Sequence, residues 1–385
     1  MRAPIPYGKQ HITQEDIDAV VSVLHSDLIT QGPVVDSFEQ DFAQYIGSEY
    51  AVAVANGTAA LHLSAMALDI GAGQTVITTP LTFAASANCV LYTGGHIQFV
   101  DIDPETLCMD LNQVEDVLKK SEGDAYTGVI PVDFAGYPVD LESLKAIADK
   151  FGLWILEDAC HAPGGYFKDS GGTIQRCGNG RFADLAIFSF HPVKHITTGE
   201  GGMITTNDRD KYERLKRLRT HGITKDPELL LEDHGGWYYE LQELGYNYRL
   251  TDFQSVLGIS QLKRAEAGLQ KRKDIAARYS TAFKNMPEII IPKLSGQVSH
   301  AFHLYVIQVK ERKRLYDFLR KQNIFTQVHY VPVHLQPFYR SLGWKKGDFP
   351  HVEDYYERCL SLPMFPTLTE EEQDYVITKI KEFFG

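Results

Sequence analysis

Short apolar runs alternate with amphipathic segments along the first half of the chain. The apolar runs, rich in β-branched residues, predict strands, and the segments between them predict helices. The predicted strands are 50–55, 76–80, 96–103, 128–136, 153–162, 185–190 and 203–206. Strands alternating with helices of this length are typical of a mostly parallel sheet covered on both faces. Ligands of such sheets bind at the carboxyl ends of the strands.

The second half of the chain has a different pattern. A charged and apolar repeat from Thr251 to about Phe283 predicts one long helix that leads into a second domain. Beyond it, the pattern predicts strand 301–309, helix 311–322, strand 325–333 and a last helix over 370–384. We therefore predict an α/β protein with a large domain over residues 1–250. The linking helix and a smaller α+β domain would occupy residues 251–385.

Composition narrows the classes of partner. The formal net charge of -12 over 385 residues argues against nucleic acid or an acidic membrane surface as the main partner. The five cysteines include no CxxC pair, which argues against a disulfide framework or a zinc knuckle. The first residues lack an apolar signal core, and no stretch approaches the roughly 20 apolar residues that span a bilayer. These features favour a cytoplasmic protein.

One lysine stands between two predicted strands. Strand 185–190 stops at His191-Pro192, Lys194 follows in a short loop, and the glycine-rich turn 199–202 precedes the next strand. A lysine amine in a dry pocket can condense with an aldehyde if its pKa is lowered. Taken alone, the loop is more typical of a structural lysine, so a catalytic role depends on the residues around it.

A second feature is the turn that follows strand 50–55. Asn56, Gly57 and Thr58 lead into a helix predicted over 59–68, which would leave the N–H groups of Thr58, Ala59 and Ala60 free to bind an anion. Many turns of this form bind nothing. No GxGxxG fingerprint or Walker loop is present, which weakens the nicotinamide and nucleotide-triphosphatase alternatives.

Pyridoxal phosphate requires a lysine, a carboxylate for its ring nitrogen, a phosphate cradle and a ring-stacking face. Candidates for all four are present. Lys194 supplies the amine, and Asp158 ends a predicted strand at the ligand edge of the sheet. The other candidates are Ser189 with Gly57, Thr58 and Ala59 for the phosphate, and Phe83 with His161 for the two faces of the ring.

Five phrases along the chain resemble the DegT/DnrJ/EryC1/StrS sugar aminotransferases, which have the aspartate aminotransferase fold (fold type I). The phrases are GTAALHLS, TPLTFAASAN, EDACHAPGG, FSFHPVKHITTGEGG and GYNYRLTDFQSVLGISQLKR. The likeness covers nearly the whole chain. Loop 167–184 and segment 235–250 are most similar to the family members that make UDP-4-amino-4,6-dideoxy-N-acetyl-β-L-altrosamine in pseudaminic acid biosynthesis.

The resemblance implies a reaction in two halves, in which L-glutamate aminates the cofactor and the cofactor then aminates C4 of a UDP-linked 4-keto-6-deoxy-N-acetylhexosamine. It also implies roles for individual residues. Lys194 would bond to the cofactor and move the proton, Asp158 would pair with the pyridine nitrogen, and His161 would lie against the ring or near its O3'. The remaining implied contacts are Thr58, Ala59 and Ser189 to the phosphate, Phe83 above the ring, His329 and Tyr330 near the sugar nucleotide, and Asn247 to the phosphate of the partner subunit. Asn247 therefore implies a homodimer with shared active sites.

Several alternatives remain open at this stage. Another nucleotide-linked keto sugar would fit the same residues, and many relatives have glutamine at the position of His161, which leaves its role open. Family members that act as dehydratases replace the lysine with histidine, and a non-catalytic cofactor-binding regulator would lack the lysine or carry an extra domain. A metal site drawn from His161, His191, His195 and Cys160 would need a helical spacing that Pro192 disfavours. We therefore expect no metal.

Overall fold

The computed structural model of the protein describes residues 3–121 and 125–385. Its helices are α1 (Gln14–Leu24), α2 (Pro33–Ile46), α3 (Gly57–Ala67), α4 (Ala85–Tyr92), α5 (Leu111–Lys120), α6 (Leu141–Phe151), α7 (Arg209–Arg219), α8 (Asp252–Leu262), α9 (Ala265–Phe283), α10 (Arg312–Lys321), α11 (Pro337–Ser341), α12 (Pro350–Arg358) and α13 (Glu370–Phe384). Its strands are β1 (Ile5–Pro6), β2 (Tyr50–Val54), β3 (Thr75–Thr78), β4 (His96–Phe99), β5 (Tyr126–Ile130), β6 (Trp154–Asp158), β7 (Tyr166–Lys168), β8 (Ile174–Arg176), β9 (Leu185–Ser189), β10 (Gly202–Thr206), β11 (Ile223–Thr224), β12 (Glu240–Leu241), β13 (Ile289–Ile290), β14 (Val298–Ser299), β15 (Tyr305–Val309), β16 (Ile324–Phe325) and β17 (Cys359–Leu362).

Seven strands form the central sheet, in the order β2, β10, β9, β6, β5, β3, β4. Neighbouring strands from β9 to β4 run parallel, while β10 runs antiparallel to both β9 and β2. The predicted large, mostly parallel sheet is therefore confirmed. None of the described helices is both long and apolar enough to cross a bilayer.

The sheet buries side chains on both of its faces. Along β9, Ile187 packs in the cluster that includes residues of α3 and α7, whereas its neighbour Phe188 packs against Phe42 of α2. Successive side chains of a strand point to opposite faces, so a continuous apolar run is needed where both faces are covered. Burial of each such side chain contributes roughly 1.5–3 kcal/mol, and the helices are held in two layers around the sheet.

The carboxyl-terminal part of the chain has its own small core. Strands β13, β15 and β17 form an antiparallel sheet, and residues of α9, α10 and α13 pack in one apolar cluster with it. Strand β1 pairs in parallel with β16, through Ile5 with Ile324 and Pro6 with Phe325. Backbone hydrogen bonds therefore hold the first described residues of the chain against residues near position 325.

The single long helix predicted over 251–283 is wrong, because the structure has two helices there, α8 and α9. Arg264 leaves helical geometry between them, with φ -117 and ψ 13. Its guanidinium donates to Asp16 Oδ1 at 2.9 Å and to the carbonyl of His11 at 2.7 Å. This tertiary contact outweighs the local preference for a continuous helix.

The strand predicted over 325–333 is also wrong, because β16 ends at Phe325 and beyond it only an isolated bridge of Gln327 with Ser361 follows. Pro332 has no N–H to donate to a ladder, and the N–H of Val333 donates instead to the carbonyl of Pro80 at 2.9 Å. Residues 326–332 therefore lead from β16 to Val333, which is bonded to Pro80 beside the large sheet. Hairpin β7–β8, strand β17 and helices α11 and α12 have no counterpart among the predicted elements.

A tight turn that follows β5 contacts the carboxyl-terminal part of the chain through backbone hydrogen bonds. The turn Phe134–Gly136 accepts two hydrogen bonds from the passing chain, Ala301 N–H to Gly136 O at 2.7 Å and Leu304 N–H to Ala135 O at 3.2 Å. Gly136 has φ +100, and a Cβ there would lie 2.8 Å from the carbonyl oxygen of His161. Only glycine fits this conformation and this space.

Gly136→Ala should therefore destabilise the protein much more than the same substitution at a glycine that also has a positive φ but has open space around its Cβ position. The matched control is Gly152→Ala, at φ +68 with no atom within 4 Å of its Cβ. We expect a cost of about 1 kcal/mol at Gly152 from the backbone conformation alone and roughly 2 kcal/mol more at Gly136 from overlap. Chemical denaturation of the two variants measures the difference, and equal losses would contradict the close approach.

Candidate active site

A cavity of about 600 Å³ opens at the carboxyl ends of the central strands. Ten of the residues predicted for the site line it. They are Gly57, Thr58, Ala59, Phe83, Asp158, His161, Ser189, Lys194, His329 and Tyr330. Asn247 does not line the cavity and is exposed on the surface of this chain. The structure thus brings together every predicted site residue except the one expected to act on a partner subunit.

The start of helix α3 forms one end of the cavity. The Asn56 side chain caps it by accepting from the Ala59 N–H at 2.8 Å, and the Ala60 N–H donates to the Asn56 carbonyl at 3.0 Å. The prediction that the Ala59 and Ala60 N–H groups are free is therefore wrong, because the asparagine cap uses them. The N–H groups of Gly57 and Thr58 have no partner among the described residues. Together with the helix dipole, they make this end of the cavity suited to an anion.

Glycines allow the chain to pass closely around this helix start. A Cβ at Gly57 would lie 3.1 Å from the Cβ of Ser189, and a Cβ at Gly202 would lie 2.6 Å from the Asn56 carbonyl. Gly202 is the last glycine of the turn after Lys194, so β10 runs directly beneath the turn that opens α3. Ser189, at the end of β9, therefore reaches the same end of the cavity as the free N–H groups.

Lys194 is held in a loop that closes on the end of β9. The carbonyl of Phe190 accepts from the Thr198 N–H at 3.0 Å and from the Thr197 hydroxyl at 3.1 Å. The Lys194 amine makes no hydrogen bond or ion pair with any residue that the structure describes. Burial lowers the pKa of Lys194 below its ordinary value, and Cys160 and Asp158, which act in the opposite direction, offset this only in part. The amine is therefore easier to deprotonate than a lysine in water.

Asp158 stands at the end of β6, and its carboxylate is fixed on both oxygens. The Ser86 hydroxyl donates to Oδ2 at 2.6 Å, and the Cys160 N–H donates to Oδ1 at 3.2 Å. Since Ser86 gives its hydrogen to Asp158, the Thr82 hydroxyl at 2.7 Å is the donor to Ser86. This chain of donors stabilises the ionised carboxylate and sets its orientation.

His161 and Tyr330 form a second fixed pair in the wall. The Ala135 N–H donates to His161 Nδ1 at 3.2 Å, and Tyr330 Oη lies 3.3 Å from His161 Nε2. Burial lowers the pKa of His161 well below its ordinary value, so the ring is neutral and carries its hydrogen on Nε2. The hydrogen bond therefore runs from His161 to the Tyr330 oxygen.

The remaining predicted residues lie at the mouth and roof of the cavity. Phe83 is 63% exposed, with its ring centroid 6.2 Å from that of Tyr330. His329 contacts the Ser361 hydroxyl through Nδ1 at 2.8 Å, and the ring of Tyr7 lies 5.1 Å away. Because Phe83 lines the cavity and stays largely exposed, its ring is accessible to a ligand there.

Sequence reasoning missed several residues that line this cavity. Ser86 stands one helical turn after Thr82 at a strand end, and that spacing could have identified it. Tyr7 and His303 carry no such local signal, because they reach the cavity through the pairing of β1 with β16 and the contact of residues 301–304 with the turn at Gly136.

Comparison with known proteins agrees with this geometry. Residues 10–381 match the model of the DegT/DnrJ/EryC1/StrS aminotransferase family. This chain belongs to that family. The spore coat polysaccharide biosynthesis protein SpsC of Bacillus subtilis is 39% identical over 386 aligned residues, which cover 98% of this chain and 96% of SpsC.

Solved structures support the same assignment for this aminotransferase. Helicobacter pylori PseC, an aminotransferase of pseudaminic acid biosynthesis, superposes with a TM-score of 0.88 at 31% identity and covers 99% of both chains. The PLP form of the sugar aminotransferase Spr1654 from Streptococcus pneumoniae superposes with a TM-score of 0.89 at 30% identity and covers 98% of both chains. The protein is thus a sugar aminotransferase that uses pyridoxal phosphate, and the predicted fold type and cofactor are confirmed.

The residues of the cavity fit this cofactor. Free N–H groups and the absence of a Cβ at Gly57 leave space for a phosphate beside Ser189, and the Lys194 amine is unpaired and easily deprotonated. The four residues of the alternative metal site do not group together. Among the described residues, the grouping of three potential metal ligands lies elsewhere and consists of Asp133, Glu157 and Cys177.

This group consists of two buried acids, Asp133 and Glu157, and the buried Cys177. The ligand atoms of the three residues lie within 4.8 Å of one another, and all three residues are buried. Asp133 Oδ1 accepts from the Val139 N–H at 2.9 Å, whereas both carboxylate oxygens of Glu157 face the Gly178 N–H. Burial raises the pKa of Asp133 to about 6, and burial with the charge of Asp133 raises the pKa of Glu157 well above its ordinary value. One proton is therefore held between the two carboxyl groups.

Glu157→Gln should change the pH dependence of stability in a definite direction. The unfolded chain loses both carboxyl protons near pH 4, while the folded protein keeps that of Asp133 up to about pH 6 and the shared proton on Glu157 to higher pH. The contribution of this pair to stability therefore falls as pH rises above about 4 and continues to fall past 6. The variant keeps a neutral group beside Asp133 and escapes most of this loss. Its melting temperature relative to wild type should rise between pH 5 and 7.

The matched control is Glu288→Gln, because Glu288 is exposed and lies in a loop. Its melting temperature should follow that of wild type at every pH. A Glu157→Gln curve that runs parallel to wild type would mean that both carboxyl groups are ionised in the folded protein.

Proposed function

We propose that this aminotransferase moves the amino group of L-glutamate to C4 of a UDP-linked 4-keto-6-deoxy-N-acetylhexosamine, in the manner of pseudaminic acid-type sugar biosynthesis. The observation that carries the proposal is that Lys194 and Asp158 line one cavity with the amino-terminal end of α3. The likeness to PseC supports the choice of sugar, and the volume of the cavity suits a cofactor together with a sugar.

Several residues of the cavity have roles in the proposed reaction. When bound, pyridoxal phosphate supplies an electron sink for the carbon that exchanges the amino group. Asp158 would hold the proton of the ring nitrogen with a carboxylate already oriented by Ser86. Lys194 would take up and return the proton at the reacting carbon, which its lowered pKa favours. Gly57, Thr58 and Ser189 would hold the phosphate.

The dehydratase alternative is less well supported by the cavity. Lys194 lines the cavity, whereas its neighbour His195 is outside the lining and donates from Nε2 to the Ala301 carbonyl at 2.8 Å. A histidine at the lysine position would be needed for that chemistry, and His195 occupies a different place. Amination is therefore the reaction that the residue at position 194 favours.

We also propose a cytoplasmic homodimer with shared sites. Large apolar side chains are exposed in segment 229–244, where Leu231 is 89%, Trp237 is 76% and Leu244 is 75% exposed. Exposed apolar surface of this kind is usually covered by a partner. Asn247 lies just after this segment and away from its own cavity, which suits a contact with the phosphate in the partner's site.

Lys194→Ala and Asp158→Asn should each lose amino transfer from L-glutamate to the UDP-linked keto sugar, by at least about 100-fold. Lys194→Ala should also yield no covalent adduct after borohydride reduction. Asp158→Asn should still bind the cofactor, because the phosphate end of the site is intact. Product formation is measured by chromatography of the nucleotide sugars, with UDP- and dTDP-linked 4-keto-6-deoxy sugars compared in parallel.

Lys284→Ala, which removes an exposed lysine, is the matched control and should keep full activity. A dTDP-linked sugar that reacts better than the UDP-linked one would replace the proposed substrate. A reducible adduct that persists in Lys194→Ala would assign the covalent role to another lysine.

Hybrid dimers test whether the sites are shared. Asn247→Ala and Lys194→Ala subunits, each inactive alone, should regain activity after mixing and subunit exchange. When equal amounts are mixed, half of the dimers are hybrids, and each hybrid has one intact site out of two. About a quarter of wild-type activity is therefore expected. If native mass spectrometry shows hybrids and activity stays absent, Asn247 does not act across the interface.

A further inference from the structure

Asn247 belongs to a short extended segment, residues 246–249, at the edge of the central sheet. The carbonyl of Tyr248 accepts from the Ala55 N–H at 2.8 Å, and the Tyr248 N–H donates to the carbonyl of Arg219 at 3.1 Å. Ala55 directly follows β2, which is an edge strand of the sheet. The backbone of the segment is therefore held from both sides.

Neighbouring side chains of this segment point in opposite directions, as in any extended chain. Tyr246 and Tyr248 stack on each other, with ring centroids 5.1 Å apart and ring planes 15° apart. Tyr248 lines the cavity of its own chain, whereas Asn247 is exposed and does not line it. The direction in which Asn247 leaves the chain is therefore set by the two tyrosines on the opposite side of the segment.

His62 of α3 contacts both tyrosines. It is 8% exposed, its Nδ1 lies 3.2 Å from Tyr248 Oη, and its ring centroid lies 4.8 Å from that of Tyr246. The ring of Tyr92 packs edge-on against the same histidine at 5.4 Å. The stacked tyrosines are thus held by a buried side chain as well as by their own backbone.

Helix α3 contacts elements of two sites in the proposed dimer. Its first turn, with Thr58, lines the cavity of its own chain, and His62 stands one turn later. Through Tyr248, the same helix contacts the segment that would deliver Asn247 to the cavity of the partner subunit. His62 itself does not line the cavity, whereas its hydrogen-bond partner is the sequence neighbour of Asn247.

We propose that His62 is a positioning residue for the cofactor site of the partner subunit. His62 holds Tyr246 and Tyr248, the tyrosines fix the direction of Asn247, and Asn247 binds the phosphate across the interface. This inference rests on the proposed function, in which the two sites are shared, and adds the residue that presents Asn247. Hydrogen bonds to a phosphate depend on geometry, so loss of this support weakens cofactor binding.

Two hybrid dimers with the same substitutions in different arrangements test this role. In the first hybrid, one subunit carries Lys194→Ala with His62→Ala and the other subunit is wild type. The only site with Lys194 then receives Asn247 from the chain that lacks His62. In the second hybrid, one subunit carries Lys194→Ala and the other carries His62→Ala, so that site receives Asn247 from a chain with intact His62. Two different affinity tags allow each hybrid to be purified.

The measured quantity is the pyridoxal phosphate concentration that half-saturates the borohydride-reducible adduct on Lys194, detected by mass spectrometry. Relative to a hybrid of Lys194→Ala with wild type, it should rise about 5- to 20-fold in the first hybrid. It should stay within about twofold in the second hybrid, since a purely structural role of His62 would not separate the two arrangements. His62→Phe, which keeps the ring packing and loses Nδ1, should raise it about threefold in the first arrangement.

Ser64→Ala is the matched control. Ser64 is a buried residue of the same helix, and its Oγ has no hydrogen-bond partner in the part of the chain that the structure describes. This substitution should leave both arrangements unchanged, and melting curves check that every variant folds. Equal rises in the two His62→Ala hybrids, a rise in the second alone, or no rise in either would overturn the proposal.

A reference hybrid tests the proposed function separately. One subunit carries Lys194→Ala with Asn247→Ala and the other is wild type, so the site with Lys194 receives no asparagine. The half-saturating concentration should rise at least about 10-fold. If it rises and the first His62→Ala hybrid behaves as wild type, only the role of His62 is wrong. If it does not rise, Asn247 does not act across the interface, and both the shared site and this inference are wrong.

Discussion

The site depends on one constraint, which is that a lysine amine is kept out of water without being neutralised by a close counterion. Burial lowers the pKa of Lys194, and no described residue forms an ion pair with its amine. The carboxylate nearby, Asp158, is already satisfied by the Ser86 hydroxyl and the Cys160 N–H, so it is held away from a direct bond to the lysine. The same amine can therefore be a nucleophile and a proton carrier more readily than a lysine in water.

The histidines around the Lys194 amine remain uncharged, so they do not form an ion pair with it. Burial lowers the pKa values of His161, His195 and His303 well below the ordinary value, so these rings are neutral. Beneath them, Asp133 and Glu157 share a proton and so add less negative charge than two free carboxylates would. Among these groups, Asp158 is the acid that lines the cavity where a pyridine nitrogen would bind.

Much of the site and of the large sheet could be predicted from the sequence, because the relevant signals are local. Asp158, Ser189 and Lys194 stand at or just after strand ends, and the carboxyl ends of parallel strands lie at the same edge of a sheet. One error was local, because Asn56 caps the helix and occupies the Ala59 and Ala60 N–H groups that a bare helix start would leave free. The other came from distant residues, because Arg264 interrupts a helix to reach Asp16. His303 had no local signal, since it depends on residues 301–304 crossing the turn at Gly136.

The pairing of β1 with β16 has a consequence for how the molecule is made. Ile5 cannot pair with Ile324 until more than three hundred further residues have been synthesised, so β1 forms one of the contacts of longest sequence separation in the fold. Tyr7, which follows β1 directly, lines the cavity beside His329. The catalytic pocket is thus completed only by residues that follow every strand of the central sheet, because those strands all lie before residue 207.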